Sequence, residues 1–149
     1  MTTVTISAGE PLHAGAIGRI LDATNDQMSW LPRVHSSAEE IGYAGDMIEA
    51  GWVTVAKLDR HVVGFMAVYE QSIYALYVLP EVQNQGIGTR LLETAKAENE
   101  RLTLWSYAEN AQATRFYRLR GFVDVDRTDG SDNEAGLPDI CFEWVKEQD

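Results

Sequence analysis

The sequence predicts an α/β (α+β) fold in which a mixed, mostly antiparallel sheet is flanked by helices. Three extended segments, at 52–58, 62–69 and 72–78, are joined by short turns, as in an antiparallel meander. Stripes of apolar residues at helical spacing come before and after these segments. The predicted order is therefore β-α-α-β-β-β-α-β-α-β-β, within a single domain over residues 1–149.

Each remaining element follows from a local pattern. Residues 4–7 alternate as a strand does, and Ile17, Ile20 and Leu21 are spaced as in a helix. Ser36 or Ser37 begins the second helix with a capping box, because a glutamate lies three residues on. The predicted elements outside the meander are strands over 4–7, 102–106, 123–127 and 140–145 and helices over 14–27, 36–50, 87–100 and 110–120.

Composition excludes several classes of protein. A chain of 149 residues that is 45% hydrophobic can bury a continuous core without the support of disulfides or metals. Cys141 stands alone and the three histidines are scattered, so we predict no disulfide and no metal. There is no signal peptide and no apolar run of about 18 residues, which predicts a cytoplasmic protein that does not enter a membrane.

The net charge of the chain indicates which kinds of molecule it can bind. The net charge of −11 argues against nucleic acid, whose phosphates need a basic face. The acidic surface serves solubility or, alternatively, attracts a cationic amine over a distance.

The first chemical motif lies between residues 78 and 92. A strand ends there, a loop with Gly86 and Gly88 follows, and an amphipathic helix begins at once. Backbone N–H groups at a helix N-terminus form an anion site, and glycine lacks the Cβ that would hold a pyrophosphate away. The motif lacks the Lys-Ser/Thr of a P-loop and the third glycine of a dinucleotide fingerprint. Taken alone, it is more typical of a plain turn before a surface helix.

The second motif lies on the helix predicted over 110–120. Asn110, Ala113 and Tyr117 stand at i, i+3 and i+7, hence on one helical face. The small Ala113 permits close approach of a ligand, and Tyr117 presents a phenol. Taken alone, this pattern is more typical of an N-cap with an aromatic core contact.

Together the two motifs resemble those of the GNAT superfamily of acyl-CoA-dependent N-acyltransferases. The first resembles the acyl-CoA motif Gln/Arg-x-x-Gly-x-Gly/Ala, at Gln83, Gly86 and Gly88. The second resembles the later motif Asn-x-x-Ala-x-x-Phe-Tyr-x-x-x-Gly-Phe, and it matches at Asn110, Ala113, Phe116, Tyr117, Gly121 and Phe122. The order of elements matches over nearly the whole chain, although the first 50 residues match only in pattern.

The resemblance implies acetyl-CoA as co-substrate and no metal. It implies that the strands at 72–78 and 102–106 splay apart, with the thioester in the gap. The pantetheine would bond the backbone of Leu76, Tyr77 and Val78 and lie beside Asn110, Ala113 and Phe116. The pyrophosphate would be held by Gln83, Asn84, Gln85, Gly86, Ile87, Gly88 and Thr89. Tyr117 would be the general acid that protonates the departing thiolate.

The acceptor is predicted to be the primary amine of a small molecule, with a protein lysine or N-terminus as the alternative. Trp30, Tyr74 and Tyr107 are the candidate acceptor contacts. Some family members carry a glutamate as base on the strand matching 72–78, and this chain has none there. The base is left open among Glu70, Glu109, Tyr74 and a chain of water molecules.

Two readings of other classes remain. A catalytically silent acyl-CoA-binding sensor would not need Tyr117, so its presence argues against that reading. A nucleotide-binding domain without acyl chemistry is disfavoured by the missing Lys-Ser/Thr. Because dimers are common in the superfamily, a homodimer is also expected.

Overall fold

The computed structural model describes residues 3–147, which form one seven-stranded sheet with helices on both faces. The strands are β1 Val4–Ala8, β2 Val53–Leu58, β3 His61–Tyr69, β4 Ser72–Val78, β5 Arg101–Tyr107, β6 Val123–Thr128 and β7 Asp139–Val145. The helices are α1 Ala14–Gln27, α2 Ser37–Glu49, α3 Ile87–Glu98 and α4 Ala111–Leu119. The predicted fold class and order of elements are confirmed, with helix and strand ends shifted by one or two residues.

Helix α2 shows why its start was predictable. Ser36 is its N-cap: the Ser36 hydroxyl accepts from the Glu39 N–H at 3.2 Å, and the Glu39 carboxylate accepts from the Ser36 N–H at 3.0 Å. This reciprocal pair satisfies two backbone donors that a helix start leaves free.

The strand order is β1-β2-β3-β4-β5-β7-β6, and β4–β5 is the single parallel pair. That pair is short, since it joins Ser72 to Thr103 and Ile73 to Leu104 and goes no further. The antiparallel β5–β7 pair, in contrast, extends from Arg101 to Tyr107. The strands β4 and β5 therefore splay apart, as the resemblance implied.

Strand β4 carries a β-bulge at the point of splaying. Ile73 pairs with Val68 and Ala75 with Ala67, so Tyr74 is an extra residue without a partner on β3. A bulge bends the strand and changes which face its next side chains occupy. In β4 it places the Tyr74 ring against Trp52 on the α1–α2 side of the sheet.

Each face of the sheet has its own core. Helices α3 and α4 cover one face, where Leu91, Leu102 and Phe142 are buried. Helices α1 and α2 cover the other, where Ile17 and Phe65 are buried. Within residues 3–147, no helix combines the length and the apolar character needed to cross a membrane.

Candidate active site

A cleft of about 1170 Å³ opens where β4 and β5 part. Its walls come from β4, the start of α3, the end of β5, α4, and the connection between α1 and α2. The predicted site residues that line it are Trp30, Tyr74, Leu76, Tyr77, Val78, Gln83, Asn84, Ile87, Gly88, Tyr107, Asn110, Ala113, Phe116 and Tyr117. Gln85, Gly86 and Thr89 do not line it. The fold thus brings both sequence motifs to one cavity.

The start of α3 forms one end of the cleft. No side chain among residues 3–147 caps this helix, and its first turn holds no acidic residue. The amides of the first turn therefore have the free donors and the partial positive charge that bind an anion.

The two glycines of this loop serve different needs. Gly86 has a φ of 84°, and a Cβ there would meet no protein atom within 4 Å, so conformation decides this position. Gly88 is helical, and a Cβ there would lie 3.4 Å from Cζ of Phe116. Gly88 thus allows α3 to approach α4 closely, a packing role that adds to the predicted exposure of amides.

Gln83 braces this loop. Its Nε2 donates to the Val78 carbonyl at 2.9 Å and to Oε1 of Gln27 at 3.0 Å. The Gln27 amide donates back at 2.9 Å, and Gln112 donates at 3.4 Å. The side chain thereby links the end of β4 to α1 and α4, so its amide hydrogens are engaged within the protein. Its contact with a pyrophosphate stays a prediction.

Two arginines line the same end and were not among the sequence candidates: Arg115 on α4 and Arg120, the residue that follows α4. Nε of Arg120 donates to the Thr89 hydroxyl at 2.9 Å, and its guanidinium lies 3.8 Å from the centroid of the Phe116 ring. These contacts fix a positive charge beside the start of α3. The clue in the sequence was the presence of three arginines, Arg115, Arg118 and Arg120, inside the second motif of an otherwise acidic chain.

Tyr117 is held by aromatic rings. Its side chain is 8% exposed and makes edge contacts with Phe116 and Phe122. Asn110, the predicted N-cap, accepts from the Ala113 N–H at 3.1 Å and so sets the direction of α4. Burial, together with the nearby phenol of Tyr77, raises the pKa of Tyr117 well above its usual value. Tyr117 is therefore protonated at neutral pH.

The side chain of Tyr77 is a second phenol at the gap, where the sequence had singled out only its backbone. Tyr117 belongs to the core under α3, whereas Tyr77 packs on the α1–α2 side. The electrostatic influence of the Tyr77 phenol on Tyr117 therefore acts through the gap between β4 and β5. Burial raises the pKa of Tyr77, and Tyr107 and Glu40 nearby add to the effect.

The other end of the cleft is aromatic and acidic. Trp30 and Tyr107 meet edge to face at 6.0 Å, and Tyr74 and Trp105 expose 59% and 51% of their surface. Burial raises the pKa of Tyr107, as do the carboxylates of Asp139 and Glu134. All three predicted acceptor residues lie here.

The candidate general bases differ in whether they line the cleft. Glu109 and Tyr74 line the cleft, and Glu109 is the one carboxylate that does so within the described residues. Glu70 lies in the turn between β3 and β4, outside the lining. No group of three or more His, Cys, Asp or Glu side chains within residues 3–147 is placed to hold a metal ion.

A buried carboxylate that the sequence did not reveal lies behind this end. Glu40 on α2 is 6% exposed, and its Oε1 accepts from the Asn25 amide at 2.8 Å. Its Oε2 has no hydrogen-bond partner among residues 3–147. Burial raises the pKa of Glu40, and Arg33 nearby opposes that shift.

Comparison with known proteins decides the family. The family described as acetyltransferase (GNAT) domain matches residues 34–124, more than half of the chain. The chain belongs to the GNAT acetyltransferase family. This membership confirms the predicted enzyme class, an acetyl-CoA-dependent N-acetyltransferase, and the predicted co-substrate.

Individual relatives agree with this assignment. The acetyltransferase is 34% identical over 116 residues to the peptidyl-lysine N-acetyltransferase YjaB of Salmonella typhimurium, covering 76% of this chain and 77% of that protein. The solution structure of apo YjaB from Escherichia coli superposes with a TM-score of 0.74 at 27% identity, over 97% of this chain and 99% of that one. YncA of Salmonella typhimurium, solved with its cofactor acetyl-CoA, has the same fold, with a TM-score of 0.74 at 17% identity over 99% of this chain and 96% of that one.

Proposed function

We propose that this acetyltransferase transfers the acetyl group of acetyl-CoA to the side-chain amine of a lysine in a protein. The observation that carries the proposal is the open, aromatic acceptor end, where Tyr74 and Trp105 are more than half exposed. A polypeptide needs such an accessible mouth, whereas a small amine suits an enclosed pocket. The relative named a peptidyl-lysine N-acetyltransferase supports the same acceptor.

A small-molecule amine, the acceptor predicted from the sequence, is the second candidate. The carboxylates of Glu134 and Asp139 near Tyr107, with that of Glu109 in the cleft lining, attract any ammonium group and so favour it equally. Charge therefore selects a cationic acceptor of either size, and the open mouth is what favours the polypeptide.

The residues of the cleft fit acetyl-CoA. The uncapped start of α3 and the guanidinium of Arg120 suit a pyrophosphate. Past Ile73, the edge of β4 that faces β5 has no strand partner, so its backbone groups are available to a pantetheine amide. The acyl group would then lie in the gap between Tyr77 and Tyr117.

The lysine ammonium, with a pKa near ~10, first loses a proton to solvent. In the transfer, the neutral lysine nitrogen forms a bond to the thioester carbonyl carbon and the carbon–sulfur bond breaks. A backbone N–H near Val78 stabilises the oxygen as it gains negative charge. The amine proton passes to Glu109, directly or through water, because this is the carboxylate of the cleft. The sulfur leaves as a thiolate beside Tyr117.

The raised pKa of Tyr117 refines its role. An alkyl thiol has a pKa near ~8.5, below even the unperturbed ~10 of a phenol. Full proton transfer from Tyr117 to the thiolate is therefore uphill by at least about 2 kcal/mol. Tyr117 is better suited to donate a strong hydrogen bond to the developing thiolate, while the proton itself comes finally from solvent.

The test is thiol release from acetyl-CoA in the presence of a panel of acceptors. We expect turnover with capped peptides that contain one lysine, at a higher kcat/KM than with polyamines, free amino acids or aminoglycosides. A higher kcat/KM for any of the small amines would show instead that the acceptor is a small molecule. Binding of acetyl-CoA by calorimetry without release from any acceptor would instead indicate the silent sensor.

A further inference from the structure

Three aromatic rings form a continuous stack on the surface beside the cleft. The ring of Trp52 stacks with that of Tyr69, at 4.9 Å with a 17° interplanar angle, and with that of Tyr74, at 5.3 Å with 24°. Tyr69 is 43% exposed and Tyr74 is the exposed bulge residue of β4. We call Trp52, Tyr69 and Tyr74 the aromatic platform.

The platform is rigid and preformed. The Trp52 N–H donates to the Met47 carbonyl at 3.0 Å, and the Trp52 carbonyl accepts from Val68 at 3.0 Å. Its three residues stand on β3, on β4 and directly before β2, so the sheet fixes their spacing. A surface whose geometry is already set loses little conformational entropy when it binds a partner.

A carboxylate stands at the edge of the platform. Glu70 follows Tyr69 directly, and its carboxylate raises the pKa of the Tyr69 hydroxyl, first as a hydrogen-bond acceptor for that hydroxyl and second through its charge. Glu70 and Gln71 form a two-residue turn with φ values of 47° and 70°, the left-handed conformation that such hairpins require. Neither residue is glycine, so the turn presents a charged side chain where a hairpin more often has glycine or asparagine.

Aromatic faces next to a carboxylate define the chemistry of the ligand. The ring faces carry partial negative charge and attract a guanidinium or ammonium group. Glu70 adds a full negative charge, and the net charge of −11 repels anions. An apolar or acidic partner gains nothing from Glu70, whereas a cationic side chain gains from both components.

Tyr74 connects the platform to the cleft, because it belongs to both. It precedes Tyr77 by three residues on β4, which corresponds to about 10 Å along a strand. An extended peptide advances by the same distance per residue. A side chain two to four positions from the reacting lysine can therefore reach the platform.

We propose that the aromatic platform is a second acceptor subsite that binds an arginine or lysine located two to four residues from the acetylated lysine. The inference rests on the proposed function, since it presumes a polypeptide acceptor. The subsite makes the enzyme selective for lysines in basic segments of proteins.

The experiment uses capped peptides with one central lysine among glycines and serines. Versions of the peptide place an arginine two, three or four residues to either side, since arginine is a cation that does not itself accept the acetyl group. We expect one placement to raise kcat/KM by about 2- to 30-fold over the plain peptide, the range of exposed to desolvated cation–π contacts. In Glu70→Gln and in Tyr69→Leu we expect this ratio between the two peptides to fall towards one.

The chain offers a matched control. Asp59 opens the β2–β3 turn with a φ of 49°, as Glu70 opens the β3–β4 turn, but it is not part of the platform. Asp59→Asn should preserve the full ratio. Because each ratio is taken within one protein preparation, a general loss of folded enzyme does not alter it.

The outcomes separate the two proposals. If no lysine peptide is acetylated while a small amine is, both the proposed function and the platform subsite are overturned. If lysine peptides are acetylated but arginine gives no gain at any position, the subsite alone is wrong. A gain that survives both Glu70→Gln and Tyr69→Leu would likewise overturn the subsite and leave the lysine acceptor in place.

Discussion

The two ends of the cleft differ in their chemical groups: one presents mainly backbone amides and the other mainly side chains. The end at the start of α3, where we propose that the pyrophosphate binds and which we call the phosphate end, has backbone amides, an arginine and two glycines with distinct geometric roles. The proposed acceptor end uses the side chains of Trp30, Tyr74, Tyr107 and Glu109, which come from the α1–α2 connection, β4, the end of β5 and the segment after it. Main-chain donors are fixed by the fold, whereas side chains change with each substitution. Under the proposed assignment, one end binds an unvarying co-substrate, while the side chains of the other end are free to change with the acceptor.

The largest effect is expected where the ends meet. Tyr117→Phe should lower kcat by about 100-fold and leave the KM for acetyl-CoA nearly unchanged, because the hydrogen bond to sulfur strengthens only as the bond breaks. Steady-state kinetics of thiol release measures both constants. Tyr43→Phe, a change on α2 away from the cleft lining, should have no effect. A wild-type kcat for Tyr117→Phe would remove the phenol from the mechanism.

The phosphate end should control binding of the co-substrate. Arg120→Gln should raise the dissociation constant of acetyl-CoA by about 10-fold, because a charge-assisted contact to phosphate is lost. Calorimetric titration measures this constant directly. Arg118→Gln is the matched control on α4, since Arg118 pairs with Asp124 at 3.1 Å and does not line the cleft. Equal affinities for the two variants would place the phosphates elsewhere.

The acceptor end should change only the second substrate. Glu109→Gln should lower kcat/KM for a lysine peptide by about 10-fold while acetyl-CoA binds as before, because only proton acceptance and attraction of the ammonium are lost. The same change at Glu70 should leave a peptide without a second cation unaffected. If Glu109→Gln instead weakened acetyl-CoA binding, the two ends would not be independent.

The smallest effect concerns stability. Gly86→Ala should lower the free energy of unfolding by about 1–2 kcal/mol, since its φ of 84° disfavours any Cβ. Gly45→Ala, within α2 and with open space at the Cβ, should instead raise it by up to about 1 kcal/mol. Urea denaturation of both variants checks the signs. A loss at Gly45 that matches the loss at Gly86 would mean that φ is not what makes Gly86 necessary.

The same contrast explains what the sequence could predict. The phosphate end depends on a strand, a loop and a helix that are contiguous in the chain, so its pattern is visible locally. The helices, the order of the elements along the chain and the splaying of β4 from β5 followed from periodicity and from the family resemblance, and these predictions are confirmed.

The acceptor end and its surroundings were less visible for physical reasons. The bulge at Tyr74 decides which faces the β4 side chains occupy, and no local pattern marks it. The Tyr77 phenol was therefore overlooked. Glu40 looked like an ordinary capping glutamate, because its burial depends on contacts with Asn25 and Arg33 that only the packed helices create. In the sequence, Arg120 resembles an ordinary surface residue, because its hydrogen bond to Thr89 exists only when α3 lies beside α4.

The short parallel ladder between β4 and β5 has a wider consequence. A ladder that continued past Ile73 and Leu104 would add main-chain hydrogen bonds and make the sheet more stable. It would also close the cleft in which we propose that the reaction takes place. On this proposal, the enzyme lacks stabilising hydrogen bonds between β4 and β5 because the cavity between them is needed for catalysis. This is a trade-off between stability and activity. Substitutions that extend the pairing of β4 with β5 should raise the free energy of unfolding and abolish acetyl transfer.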